Sequence, residues 1–205
     1  MAAIPPAPPS SASQSDQSTP AVHTDAAVIA ATRVWLERAV IGLNLCPFAN
    51  AVLRKNQIRF AVSHATATEA LSETLRYELR LLHDTDPSST DTTLLIHPHV
   101  LQDFHDYNAF LPKADRLIKR EGLRGVVQIA GFHPLFAFAN TPTEAIENYT
   151  NRSPYPLLHL LREDSIARAV AAVDDPDAIY EANIRRLQML GAAGWNALDV
   201  GTTAN

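Results

Sequence analysis

Three short apolar runs, Ile58 to Val62, Thr92 to Ile96 and Val126 to Ala130, are separated by two longer stretches with helical spacing, and this alternation constrains the fold more than any other feature. The first separator carries Leu71, Leu75, Leu79 and Leu82. Apolar residues three and four apart line one face of an α-helix, so a helix is predicted over Thr68 to His83, followed by a loop over Asp84 to Asp91. The second separator predicts a helix over Asp103 to Glu121, closed by Gly122, with Pro112 as a point of kinking or splitting. The order strand, helix, strand, helix, strand builds βαβ units. It predicts an α/β fold with a small three-stranded, at least partly parallel sheet. The near-continuous apolar character of Val126 to Ala130 places that strand centrally, covered on both faces. Gln128 interrupts it, and a buried amide needs hydrogen-bond partners, from a neighbouring loop or from a ligand.

The flanks are of a different kind. Residues 1 to 24 are dominated by proline, serine and alanine and show no hydrophobic period. Such a segment buries too little apolar area to offset its ordering entropy, so a disordered tail is expected there. Thr24 or Asp25 is a suitable N-cap for a helix over Ala26 to Leu43, with Val28, Ala31, Trp35, Ala39 and Ile41 to Leu43 as its apolar stripe. Pro47 limits continuation at Cys46. Beyond Phe138 the pattern reads as helical: Thr141 to Tyr149, then a stiff turn over Asn151 to Pro156, then helices over Leu157 to Glu163, Ser165 to Val173 and Asp177 to Leu190, with Gly191 as the stop. The expected layout is one α/β domain over 25–191, flanked by an N-terminal helix and a helical C-terminal third, with a short irregular tail over 192–205.

Composition narrows the classes of function. A hydrophobic content of 46% supports a packed core. The formal charge of -5 gives no bulk attraction to phosphate backbones, so no nucleic-acid partner is expected. The nearest basic stretch, Lys113 to Arg124, is interleaved with Asp115 and Glu121 and reads as a solvated helix face. A single cysteine, Cys46, excludes an intrachain disulfide framework and a cysteine-rich zinc site. The apolar runs are too short for a membrane span, and the N-terminus lacks the basic start and apolar core of a secretion signal, so a cytoplasmic protein without membrane contact is expected.

Histidines follow each predicted strand closely: His64 after the first, His97 and His99 after the second, His133 after the third. In a parallel sheet these positions share the edge at which open α/β sheets bind ligands. Imidazoles meeting there serve as general acid and base or as metal ligands, although no short zinc motif is present. The competing reading makes them turn residues. In the segment Asn151 to Glu163, two prolines fix the backbone, and Arg152 beside Asn151 suits a carboxylate or phosphate. Drawn as a helix, this segment covers one face with four leucines and clusters His159, Arg162 and Glu163 opposite, as a solvated face or a lid. Cys46 lies past a helix C-terminus, where the helix dipole does not favour a thiolate, and its apolar neighbours suggest burial. It reads as a structural thiol, with nucleophile as the alternative.

The segments Gly42 to Ala49, Asp103 to Leu111, Phe132 to Thr141 and Asn151 to Glu163 resemble the hallmark segments of a bacterial family, domain of unknown function 1415. The resemblance covers about residues 25 to 191. It implies that Cys46, His133, Asn151, Arg152 and His159 lie in signature segments. His64 and His99 lie outside them, which weighs against a multi-histidine metal site. It implies no cofactor and no activity.

The leading expectation is an enzyme acting on a small anionic metabolite by acid/base chemistry. His133, Cys46 and His159 are its catalytic candidates. Asn151, Arg152, Arg162 and Gln128 are its binding candidates. The first alternative is a non-catalytic binding or assembly protein, a homo-oligomer that uses the Leu157 to Leu161 stripe. The second is a metalloprotein built on His133, His97 and Asp103.

Overall fold

Thr24 caps the first helix, its hydroxyl accepting from the Ala27 N–H, and α1 runs over Asp25–Trp35. The next turn, Leu36–Ile41, widens to π-helical pitch instead of continuing as the regular helix expected to Leu43. A short helix α2, Ala49–Arg54, follows where the sequence predicts none. The computed structural model describes residues 24–172, 175 and 178–202; the expected tail over 1–23 lies outside them.

The alternating core forms as its periodicity requires. Strand β1 (Ile58–Val62) and strand β2 (Thr92–Ile96) pair in parallel, joined by α3 (Thr68–Asp84). Helix α4 (Phe104–Arg120) leads to β3 (Val127–Phe132) and retains Pro112 at an exposed position without breaking. Both helices pack Leu71, Leu75, Leu79, Leu82, Phe110 and Ala114 against one face of the sheet. A bidentate ion pair joins strand to helix there, Arg59 Nε and Nη2 donating to Glu78 at 2.7 and 2.9 Å. Helix α1, the π-helical turn and the last helix cover the opposite face, where Val28, Trp35, Leu187 and Trp195 meet Leu94, Ile96 and Leu157.

The C-terminal third departs from the helical reading. The helix expected over Thr141 to Tyr149 is only a 3-10 turn over Ile146–Thr150. The expected helix over Leu157 to Glu163 is instead a fourth strand, β4 (Leu157–Arg162). It inserts between β2 and β3, antiparallel to both, so the order is β1-β2-β4-β3 and the sheet has four strands, not three. Leu157, Leu158 and Leu160 are all fully buried because both faces of β4 are covered. A doubly covered strand has no polar alternation, and an unbroken apolar run suits strand and helix equally. The same insertion moves β3 from the centre to the edge. Gln128 is therefore exposed and needs no buried partner.

Two helices complete the chain, α5 (Glu163–Ala171) and α6 (Ala178–Ala197). Gly191 stops the regular helix as expected, and a second helical segment follows it within α6. The glycine takes a positive φ of 63° at the kink, and the second segment buries Trp195 completely. Residues 192–197 thus belong to the fold rather than to an irregular tail. Among the described residues no helix is long and apolar enough to cross a membrane.

Candidate functional site

Because β4 opposes both of its neighbours, β1, β2 and β3 point the same way, and the histidines that follow them do share one edge. The segment Asn151 to Pro156 enters β4 from that edge as well. The outer histidines are at the surface: His64 Nε2 lies 2.7 Å from Asp25 Oδ1, and its ring stacks on His99 with centroids 5.8 Å apart. The inner ones, His97 and His133, are fully buried on either side of Tyr107, with ring centroids 5.9 and 5.1 Å from it.

The hydrogen bonds of the inner pair set their tautomers. His133 Nδ1 accepts the Leu135 N–H at 3.0 Å, so its proton is on Nε2, which donates to the Leu101 carbonyl at 3.1 Å. His97 Nδ1 donates to the Val100 carbonyl at 3.0 Å. Both rings are neutral clamps on consecutive carbonyls of one turn, where Leu101 holds a left-handed φ of 57°. Burial lowers both pKa values, that of His97 to about 4. His133 has no nitrogen left for proton transfer, which removes it as the acid/base residue. The metal reading falls on the same ground, because Asp103 Oδ1 caps α4 by accepting from the His105 and Asp106 N–H groups. Among the described residues no group of three potential ligands is placed to hold a metal ion.

The expected anion-binding residues are also spent on the backbone. Arg152 is 7% exposed, stacks on Tyr149 at 4.1 Å and donates to the Phe136 and Thr143 carbonyls at 3.2 and 2.6 Å. Asn151 Nδ2 donates to the Gly131 carbonyl at 3.0 Å. Arg162 Nη2 donates to the carbonyls of Leu82, Thr85 and Thr90, tying the end of α3 to the approach to β2. Cys46 is half-buried, and burial raises its pKa, which opposes thiolate formation. It fits the structural reading.

His159 and Gln128 remain, and β4 being a strand puts them on one face. His159 pairs with Ala130 and Leu94, and Gln128 pairs with Leu161. Residues alternate faces along a strand, so Phe60, Leu94, His159 and Ala130 form one row and Ile58, Thr92, Leu161 and Gln128 the next. Thr92 gives its single hydroxyl proton to the Leu160 carbonyl at 2.6 Å, so it accepts from His159 Nε2–H at 2.7 Å. The lone pair of Nδ1 then has no protein partner among the described residues. The ring is half-buried, 6.2 Å from Phe132, and burial alone lowers its pKa to about 4. The site is a fixed, neutral hydrogen-bond acceptor set among Ala130, Leu161 and Phe132, with the Gln128 amide nearby. Thr92 was missed from the sequence. Its signal, a hydroxyl opposite β4, exists only once residues 157–162 are known to be a strand.

A family model described as Protein of unknown function (DUF1415) matches residues 27–197. The chain belongs to this family. No curated protein and no solved structure matches it. The DUF1415 match begins inside α1 and runs to the last residue of α6, so it takes in the whole sheet, the histidine edge and the helix beyond the Gly191 kink. Within this DUF1415 chain, His133, Asn151 and Arg152 hold turns together at the sheet edge. His97 Nε2 and His159 Nδ1 are left without a protein partner among the described residues, the first in a fully buried ring and the second in a half-buried one.

Proposed function

We propose that the protein binds a small, uncharged, polar metabolite against the sheet face that carries His159, and acts on it by acid/base chemistry at Nδ1. One observation carries this reading: the chain from the Leu160 carbonyl through Thr92 to His159 Nε2–H leaves the Nδ1 lone pair of a neutral, half-buried ring without a protein partner among the described residues. A pre-oriented acceptor in apolar surroundings recognises an N–H or O–H donor, because the low local dielectric strengthens the bond and penalises a ligand that leaves the site unpaired. Arg152 and Arg162, the arginines named for binding, are engaged with carbonyls, which supports a neutral ligand over the anionic one expected from the sequence. On taking the ligand's proton, His159 becomes an imidazolium whose Nε2–H stays on Thr92.

The test is nitrogen-15 NMR of the histidine side chains during titration with a panel of neutral amides, nucleosides and polyols. The expected result is a shift of the His159 Nδ1 resonance with at least one class, together with loss of that class's binding by His159→Gln, read by calorimetry, while the melting temperature is retained. A His159 ring that responds to no member of the panel rejects the reading.

A further inference from the structure

Strand β3 ends the sheet, and its outer backbone carries a hydrogen-bonding pattern that matches itself. The Glu163 N–H donates to the Val126 carbonyl, so with Val127 opposite Arg162 the even-numbered residues of β3 bond to β4 and the odd-numbered ones face outward. Some outward groups are satisfied within the chain. The Val127 N–H donates to the Leu123 carbonyl at 3.0 Å, the Gly131 carbonyl accepts from Asn151 Nδ2 at 3.0 Å, and the His133 N–H donates to the Asn151 carbonyl at 3.2 Å. Between these caps, the Val127 carbonyl, the Ile129 N–H and carbonyl, and the Gly131 N–H have no partner among the described residues. An antiparallel copy with Ile129 opposite Ile129 satisfies all of them. Ile129 bonds to Ile129 in both directions, and the Gly131 N–H of each copy meets the Val127 carbonyl of the other. The two groups that would have made a further bond in this register, the Val127 N–H and the Gly131 carbonyl, are those already used internally.

We propose that two copies of the chain join edge to edge through β3 about a twofold axis, so that two four-stranded sheets become one of eight. The rim supports a second copy over another occupant. A depression of about 370 Å³ beside the start of β3 is lined by Asp115, Arg116, Lys119, Arg124, Gln128 and Glu163. Glu121 is withdrawn from it by Arg80, at 2.5 Å. Its rim carries both signs, so a partner of a single sign meets like charge somewhere on it, whereas the open backbone groups of β3 are symmetric about Ile129 and match an identical strand. An exposed edge also invites pairing wherever it is not blocked, and here both ends are blocked and the middle is left open.

The pairing extends the His159 site, and this part rests on the function proposed above. The twofold axis is perpendicular to the sheet, so both copies present the same face. In this register Ala130 faces Gln128 of the second copy. The row Phe60, Leu94, His159, Ala130 then continues onto that glutamine, and each site gains an amide from the other copy.

Light scattering during gel filtration of the untagged full chain is expected to give twice the 22.4 kDa of one chain. Ile129→Pro deletes one outward donor and leaves every bond between β3 and β4 in place, so it is expected to elute as a folded monomer. A second variant, Gln128→Cys with Ala130→Cys in a Cys46→Ala background, is expected to form a disulfide-linked dimer on mild oxidation. A wild-type chain that is monomeric at every concentration, with no linked dimer from the cysteine variant, overturns the pairing. If the dimer forms and Ile129→Pro still shifts the His159 resonance with the same ligand at unchanged affinity, the shared site is wrong and the pairing stands. If no ligand shifts His159 in either form, the functional reading fails and the pairing stands.

Discussion

At the residue scale, the most informative side chains are those that donate to the backbone. His133, Asn151, Arg152 and Arg162 carry the chemistry of an active site, yet each spends it on backbone atoms of loops distant in sequence. Buried backbone carbonyls must find donors, and in irregular segments long polar side chains supply them. The opposite case is Thr93, whose hydroxyl is buried with no partner among the described residues. Thr93→Val keeps the shape and removes the orphan, and is expected to stabilise the fold by about 1 kcal/mol in urea denaturation; a loss of stability sinks the assignment. The buried histidines make a second prediction. The pKa values of His97, His133 and His159 are lowered in the fold, two of them to about 4. Between about pH 6.5 and 4 the unfolded chain therefore binds more protons than the native one. The stabilisation is complete above that window and is lost as pH falls through it. Urea midpoints are expected to drop from pH 7 to pH 4.5, and by less in His97→Gln; equal slopes would show that His97 is not the titrating group.

At the element scale, β4 organises the molecule. It supplies the leucines that close both faces, reverses the sheet and sets His159 beside Thr92. Leu160 is buried completely between β2 and β3, so Leu160→Ala is expected to cost about 2–5 kcal/mol of stability by urea denaturation. The join between β3 and α4 is equally specific. Tyr107 donates to the Leu157 carbonyl at 2.8 Å with its oxygen against Gly131, where a Cβ would lie 2.7 Å from it. Gly131→Ala is expected to cost about 1–3 kcal/mol, and clearly less when combined with Tyr107→Phe, which removes the obstructing oxygen. Additive costs in that double-mutant cycle would mean that the glycine is required for another reason.

At the scale of the whole molecule, an edge strand left partly open is the main liability, and Asn151 is the device that closes one end of it. Asn151→Ala exposes the Gly131 carbonyl. It is expected to lower stability by about 1 kcal/mol, read by urea denaturation. Unchanged behaviour would show that the cap is dispensable. A paired molecule also makes its unfolding midpoint rise with protein concentration, which a monomer does not.

The alternating core was legible in the sequence because its causes are local. The leucines of α3 repeat at helical spacing, the Asp103 carboxylate caps the N–H groups that follow it, and Gly122 takes the positive φ that ends a helix. The order of these elements was enough to place His64, His97, His99 and His133 on one edge. Burial of β4 on both faces erased the period that distinguishes strand from helix, so its identity, and with it the edge position of β3, came only from the packed sheet. The roles of the candidate residues were beyond reach for a related reason. The atom that holds His159 lies 67 residues away in the chain, and the carbonyl that occupies His133 lies 32 residues away. Residue type declares what a side chain is able to donate or accept, but only the tertiary structure decides which partner takes it, because that depends on which distant backbone is brought within about 3 Å.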